Sequence, residues 1–413
     1  MSIRIIKASN TSAVGALLAA GRDDDAATRK AVAAIVEAVR TGGDRAVAAF
    51  ARKFDGLEGP IEIPRDEWTR GARQAPRELR RALSVAAGNI TRVARAQVPR
   101  PFRVRVAPGI TVEQRVRPLD RVGCYVPGGR YPLPSSLLMT AIPARVAGVP
   151  EIIAVCPRPE PVVLAAALVA GVTRLFHLGG AHAIAALAFG TRTIPQVDRI
   201  VGPGNKYVAA AKTYVSGECG IDMQAGPSEI LVLSDSGNPA WLAADLIAQA
   251  EHDPDARALL VTSKVRLAKA VAREVDRQMP ADGPAREALA RHGGIIVTRT
   301  HREAVSLANQ MAPEHLVVDD EATAAAVGRA GAIFIGPYTA QVAGDYAIGS
   351  NHVLPTGGAA RVRGGLHAAD YVRVVSVQRV TAAGLKALGP TVRALALAEG
   401  LTAHAQSMIV RGV

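Results

Sequence analysis

From Asp23 to Gln97, Ala, Val and Leu recur at three- and four-residue spacing among Arg, Asp and Glu, as at Val32, Ile35, Val36 and Val39. Positions three and four apart share one helix face, so this stretch predicts amphipathic helices. From Phe102 to Val116 the period changes to two: Val104, Val106, Ile110 and Val112 alternate with polar residues, broken by Pro108-Gly109. That pattern predicts a β-hairpin. After Asp120 short apolar runs alternate with Ala-rich stretches. Strands are expected at Arg121–Val126, Ile152–Cys156, Arg174–Leu178 and Arg199–Val201. Between them, helices are expected from Ser135 or Ser136 as cap to Ala147, then at Pro161–Gly171, Ala183–Phe189 and Asn205–Val215. Repeated β-α steps of this length imply a parallel sheet covered on both faces.

A second series follows the same rule. Strands are predicted at Ile230–Ser234, Leu259–Thr262, Gly294–Val297, Leu316–Val318 and Ala332–Ile335, with helices near 239–252, 264–278, 301–310 and 321–330. The fold class is therefore α/β, with two doubly wound, incomplete Rossmann-like parallel-sheet domains, a helical N-terminal arm and a C-terminal tail. The expected partition is an arm at 1–22, a discontinuous first domain at 23–120 and 228–367, a second domain at 121–227, and a tail with one helix at 368–413. Short tandem repeats and low-complexity linkers are absent, so the halves are expected to pack together.

Composition narrows the function class. The chain has 413 residues, and 49 Lys and Arg against 36 Asp and Glu give a net charge of +13. Such a surplus raises nucleic acid or an acidic membrane surface as a partner. Aromatic residues are only 4%, which is poor material for base stacking, and much of the excess is Arg set among Ala, as at Arg77, Arg80 and Arg81. These read as solvated helix faces, so no nucleic-acid partner is expected. The longest apolar run, Pro161–Val172, is too short to span a bilayer, so no membrane partner is expected either. The N-terminus lacks the apolar core of a signal peptide, and Cys124, Cys156 and Cys219 are too scattered for a disulfide framework or metal cluster. The expectation is a cytoplasmic enzyme with structural cysteines.

Candidate chemistry lies in turns and short clusters. Pro127-Gly128-Gly129 and Gly202-Pro203-Gly204-Asn205 each leave a strand and open a helix. Small residues there let backbone N–H groups approach a phosphate, although neither turn matches G-x-G-x-x-G and simple tight turns read equally well. Gln249 and His252 stand three apart at the end of a predicted helix that Asp253-Pro254-Asp255 stops. Asp345 precedes His352 by seven residues in a Gly-rich stretch, and Glu399 precedes His404 near the C-terminus. Imidazole, carboxylate and amide oxygen suit a borderline divalent cation, yet spacing alone does not assemble them into one site. Ala312-Pro313-Glu314-His315-Leu316 puts a carboxylate and an imidazole at the mouth of an apolar strand, as an acid/base pair or as a plain charged strand end.

Taken together these blocks resemble the histidinol dehydrogenase family, which uses zinc and NAD⁺. The carriers are Val122-Gly123-Cys124-Tyr125-Val126-Pro127-Gly128-Gly129, Ile200-Val201-Gly202-Pro203-Gly204-Asn205, Ile221-Asp222-Met223 and Gly226-Pro227-Ser228-Glu229. Gln249-Ala250-Glu251-His252, Ala312-Pro313-Glu314-His315-Leu316 and Gly344-Asp345-Tyr346 continue the series. Asn351-His352-Val353-Leu354-Pro355-Thr356 and Glu399-Gly400-Leu401-Thr402-Ala403-His404 complete it, in order over nearly the whole chain. The resemblance implies oxidation of L-histidinol through the aldehyde to L-histidine with two NAD⁺. By motif position it makes Gln249, His252, Asp345 and His404 the ligands of one Zn²⁺ per subunit, Glu314 the activator of water and His315 the proton-transferring base. Ser228, His352 and Glu399 would hold the substrate together with the metal ligands and His315. Tyr125, His182 and Asn205 would contact NAD⁺, on the 121–227 domain. It further implies an intertwined homodimer in which Glu399 and His404 complete the partner's site.

Three positions depart from the family pattern: His182 stands where Gln is usual, Gln224 where Pro is usual, and Ser350 before Asn351-His352. An imidazole does not offer the donor and acceptor of an amide in one geometry, so His182 bears on the cofactor contact. The competing readings are a paralogous zinc- and NAD-dependent dehydrogenase of another small alcohol, such as a sulfonated diol, and a basic nucleic-acid-binding protein.

Overall fold

A computed structural model of the chain describes residues 3–19, 25–128, 131–224 and 226–413. Asp23, Gly129 and Arg130 therefore lie outside the described residues. The strands are β1 (Ile5–Lys7), β2 (Phe102–Ala107), β3 (Ile110–Pro118), β4 (Arg121–Tyr125), β5 (Glu151–Val155), β6 (Arg174–Phe176) and β7 (Arg199–Val201). They continue with β8 (Gly220–Ile221), β9 (Glu229–Leu233), β10 (Arg257–Thr262), β11 (Gly294–Val297), β12 (His315–Val318), β13 (Ala332–Ile335) and β14 (Val372–Val380). Two sheets are parallel throughout, a five-stranded one ordered β6-β5-β4-β7-β8 and a six-stranded one ordered β1-β11-β10-β9-β12-β13. A third sheet, β14-β3-β2, is antiparallel.

The near-continuous apolar strands follow from burial on both faces. In β5, Ile152 and Ala154 enter one core while Ile153 and Val155 enter another. In β9, Ile230 and Val232 pack on one side of the six-stranded sheet and Leu231 and Leu233 on the other. Because successive side chains of a strand point to opposite faces, each sheet needs helices on both sides. The chain supplies them, which makes the expected pair of doubly wound α/β units the observed fold class.

The helices of residues 26–97 group differently from the sequence-based partition. Ala26–Phe54 packs on Gly180–Phe189 and Lys206–Val215, placing Val32, Val36, Val39 and Val47 in one core with Ile153 and Phe176. Arg65–Ala72 and Arg77–Gln97 pack on Pro161–Ala170 and Pro134–Ala147 at the opposite face. These helices thus cover the five-stranded sheet, whereas the sequence reading joined 23–120 to 228–367. An apolar stripe requires a partner surface without naming it. Residues 1–22 are likewise more than an arm, since β1 pairs with β11 at the edge of the six-stranded sheet.

Other differences are local. The helix expected to be capped by Ser135 or Ser136 begins at Pro134, with Leu133 at its cap position and no side-chain cap. Proline presets the helical φ and lacks the first unpaired N–H. The tail, expected to hold one helix, holds strand β14 and two helices, Ala382–Ala398 and Thr402–Ile409. Among the described residues no helix is long and apolar enough to cross a membrane. Cys124, Cys156 and Cys219 are buried, and burial pushes the first two thiols up to about 12 and the third up to about 11. They stay protonated and act as packing residues.

Candidate active site

Two strand ends meet at the chemical centre. The helix His301–Met311 stops at Ala312, whose φ of 50° is left-handed and, being fully buried, admits no relaxation into solvent. Pro313 then directs the chain into β12. This turn sets Glu314 and His315 beside the start of β9, at the amino edge of the six-stranded sheet. The backbone N–H of Glu229 donates to Oε2 of Glu314 at 2.7 Å. The carbonyl of the same residue lies 3.1 Å from Nδ1 of His315. A carbonyl only accepts, so Nδ1 carries a proton and Nε2 is the nitrogen turned toward the rest of the cluster.

Nε2 of His315 is buried without a hydrogen-bond partner and lies 3.4 Å from Oδ1 of Asp345. Asp345 sits on Gln341–Tyr346, a helix absent from the sequence reading, and its other oxygen accepts from the Gln341 amide at 2.6 Å. The Asp345 carbonyl in turn meets Nδ1 of His352 at 2.8 Å. Burial pushes the Glu314 carboxyl up to about 8, although the His315 imidazole works against it. For His315, burial acts downward, but Glu314 and Asp345 outweigh it and bring the imidazole up to about 9. Burial holds His352 below its ordinary value, which keeps it a neutral imidazole.

Gln249 closes the cluster from another side. Its helix, Pro239–Ala250, packs on Gln341–Tyr346, and the amide is fully buried with neither Oε1 nor Nε2 hydrogen-bonded. An orphaned buried amide costs about 1–3 kcal/mol, so this position suits a ligand that uses its oxygen. His252 lies just beyond the helix, exposed at the rim, its N–H on the Gln249 carbonyl at 3.3 Å. Ser228 is half-buried immediately before β9. Amide oxygen, carboxylate and imidazole form a donor set that fits zinc. Glu399 and His404 are exposed on the C-terminal helix pair, and among the described residues no three His, Cys, Asp or Glu side chains converge as a metal cage.

The nucleotide candidates gather at the other sheet. The turns after β4 and β7 lie at the carboxyl ends of neighbouring strands, at the point where the strand order reverses, a location that favours ligand binding in open α/β sheets. Gly202 has φ of 117°, and a Cβ there would run into the Tyr125 carbonyl. A Cβ on Gly128 would come within 2.5 Å of the Pro157 ring. Close packing against neighbouring protein atoms therefore requires glycine at both positions. Asn205 caps Lys206–Val215, its Oδ1 accepting from Tyr207 and Val208 N–H at 3.0 and 3.2 Å. The Tyr125 hydroxyl accepts from Gly180 N–H at 3.1 Å. His182 is buried with Nε2 on Asp55 at 2.7 Å, and the same carboxylate oxygen accepts from Gly179 N–H at 2.9 Å. His182 is therefore engaged by a neighbour that the sequence reading did not single out.

Beneath the second turn the sequence reading missed a buried pair, Lys212 and Asp222. Lys212 donates to the Gly202 carbonyl at 3.0 Å, and Asp222 accepts from Gly202 N–H at 2.7 Å while contacting the Lys212 ammonium. Nothing in local spacing signals this pair, because its members come from a helix and a strand end joined only in space. Gly202→Ala is expected to destabilise the fold by at least about 2 kcal/mol in urea titration, from strained φ and lost turn geometry. A wild-type midpoint would show that the turn tolerates a side chain.

Residues 18–412 match the sequence profile of the family described as "Histidinol dehydrogenase". The histidinol dehydrogenase of Nitrosomonas europaea is 45% identical over 399 residues, covering 93% of this chain and 92% of its own. That of Rhizobium meliloti is 46% identical over 394 residues, covering 92% and 91%. The crystal structure of histidinol dehydrogenase from Elizabethkingia anophelis superposes with a TM-score of 0.93 at 32% identity, covering 99% of this chain and 98% of that one. A profile match over nearly the full length, with likeness at this level in both sequence and fold, places the chain in the histidinol dehydrogenase family.

Proposed function

We propose that a single site of this NAD-dependent oxidoreductase takes L-histidinol through the aldehyde to L-histidine, with Glu314 and His315 dividing the proton transfers. The observation that carries this reading is the Glu229 peptide, which orients both side chains at once and leaves His315 Nε2 buried, without a hydrogen bond and facing Asp345. Gln249, His252 and Asp345 of one chain, with His404 from a second copy, would hold Zn²⁺, while Tyr125, His182 and Asn205 line the nucleotide side. When bound, zinc orients the substrate's imidazole and amine, and NAD⁺ accepts a hydride in each of two rounds.

The side chains then carry the protons. His315 takes the alcohol proton at Nε2 as the first hydride leaves carbon. Glu314 takes a proton from water as its oxygen adds to the aldehyde, while His315 returns the proton it holds to the aldehyde oxygen, giving the gem-diol and freeing Nε2. His315 then accepts a gem-diol proton as the second hydride leaves, and the resulting carboxylic acid ionises to the carboxylate. Ser228, His352 and Glu399 hold the substrate's polar groups. Because His352 is kept neutral by burial, it offers a donor or an acceptor without adding charge.

The site requires a second copy on this reading. Phe102, Val104, Val374 and Val380 of the antiparallel sheet and Leu395, Leu397, Ile409 and Val410 of the tail are exposed apolar residues. Such a surface on one module fits a homodimer interface that delivers Glu399 and His404 to the neighbouring site.

The test is turnover by the purified protein. L-histidinol and NAD⁺ are expected to yield histidine with two NADH, to lose this activity under EDTA and to regain it with zinc. No histidine after zinc is restored would refute the substrate, and preferential oxidation of a sulfonated diol would assign the chain to the paralogous activity.

A further inference from the structure

We propose that the buried Glu229–Arg257 pair is a positioning device for the two reacting side chains, acting through the Glu229 peptide. The inference rests on the reading of Glu314 and His315 as the proton-transferring groups. Glu229 opens β9 and Arg257 opens the neighbouring β10, with the two residues in direct parallel register. Their side chains are 1% and 3% exposed, and Nη1 of Arg257 donates to Oε2 of Glu229 at 2.9 Å. The other carboxylate oxygen accepts from Gly357 N–H at 3.1 Å, in the segment that follows His352. Arg257 also donates to the Leu17 carbonyl. The ion pair therefore ties together two strand starts, the N-terminal segment and the loop downstream of His352.

The backbone of the same residue makes the contacts that matter for chemistry. Its N–H holds Glu314 by Oε2, so the second carboxylate oxygen is the one left for water. Its carbonyl holds Nδ1–H of His315, which fixes the tautomer with Nε2 as base. A rotation of this single peptide would misplace both groups together. Both side chains are buried and engaged with each other, so the pair positions and does not react.

A buried ion pair is a weak device for stability, because apolar residues of similar volume often replace one without loss. Orientation is the property that such a replacement removes. A small misplacement of reacting groups costs as much as about 100-fold in rate.

The experiment compares zinc-loaded wild-type enzyme with Glu229→Gln and with the double variant Glu229→Met/Arg257→Met. The double variant leaves no unpaired buried charge, so it is the one expected to keep the fold and bound zinc. Both variants are expected to lose about 10–100-fold in kcat per zinc-loaded site, with KM for histidinol within about threefold of wild type. The pH dependence of kcat is expected to shift, since Glu314 and His315 lose their common anchor. A double variant with wild-type kcat and pH profile per loaded site would overturn the proposal and leave the pair a purely structural one. Glu314→Gln run in parallel separates the two levels. If that variant is slow while the double variant is unimpaired, only the positioning role fails. If Glu314→Gln itself oxidises the aldehyde normally, the underlying reading fails and the positioning role with it.

Discussion

Replacing Glu314 by Gln is expected to halt the reaction at the aldehyde. The amide oxygen is expected to take the place of Oε2 and still accept from Glu229 N–H, so the turn and the proposed zinc ligands should remain in position. The NH₂ group occupies the place of the second oxygen and takes no proton from water. General base catalysis is worth roughly 10²–10⁴-fold, and the aldehyde-to-acid step is expected to slow by that factor while alcohol oxidation continues. The measurement is stoichiometric: with a hydrazine trap present, NADH per histidinol should fall from two toward one, with the aldehyde captured. Two NADH at the wild-type rate would remove Glu314 from the mechanism.

The same residue predicts the direction of the pH dependence. Burial raises Glu314 to about 8, so below that pH most of it is protonated and unable to act as base. His315, raised to about 9 by its two carboxylate neighbours against the effect of burial, is likewise mostly protonated at neutral pH. Both shifts have the same sign, and kcat is expected to rise from pH 7 toward pH 9. The two groups interact across 3.6 Å, so the profile reports apparent values of the pair. In Glu314→Gln the limb belonging to the carboxylate should vanish from the aldehyde step.

His404→Ala is expected to lose bound metal and turnover although the fold survives. His404 is exposed on Thr402–Ile409, so truncation removes little packing. Removing an outer-shell partner already costs about 10–100-fold in metal affinity, and loss of a direct ligand should cost at least that. Full zinc occupancy in the variant would contradict the ligand assignment. Because the residue is proposed to serve a second copy's site, mixed dimers give a sharper result. Combining His404→Ala chains with Glu314→Gln chains, each impaired in forming histidine, creates hybrids with one intact site, made from the Glu314-bearing body of one chain and the His404 of the other. With random exchange, about a quarter of wild-type histidine formation should return. No recovery would place His404 in its own chain's site.

The parts of this picture that were legible in the sequence are those governed by local periodicity. The switch from period two to short apolar runs marked the hairpin and the parallel strands, and most strand starts fell within a residue or two of prediction. β14 escaped because Val372–Val380 is mostly exposed and its pairing partner, β3, lies more than two hundred residues away. Gln341–Tyr346 escaped because six residues are too few to show helical periodicity. Glu314 and His315 were visible as a pair at a strand mouth, and the ordered blocks tied them to a family. Glu229 lay inside one of those blocks without any sign that its peptide would hold both.

By itself, then, the sequence determined the α/β class, the residue types able to do acid/base and metal chemistry, and the family. Each of these is a property of neighbours along the chain: burial on both faces demands apolar strands, and proton transfer demands a carboxylate and an imidazole. The tertiary structure decided which sheet the helices of 26–97 cover and which nitrogen of His315 is free. It also decided that Asp345 faces that nitrogen and that Asp55 engages His182. Those are long-range pairings, set by which surfaces and strand ends pack together, and local spacing carries no record of them. The buried carbonyl of Glu229 is the plainest case: any residue has one, and only the packing of β9 against β12 makes it the group that orients the His315 imidazole.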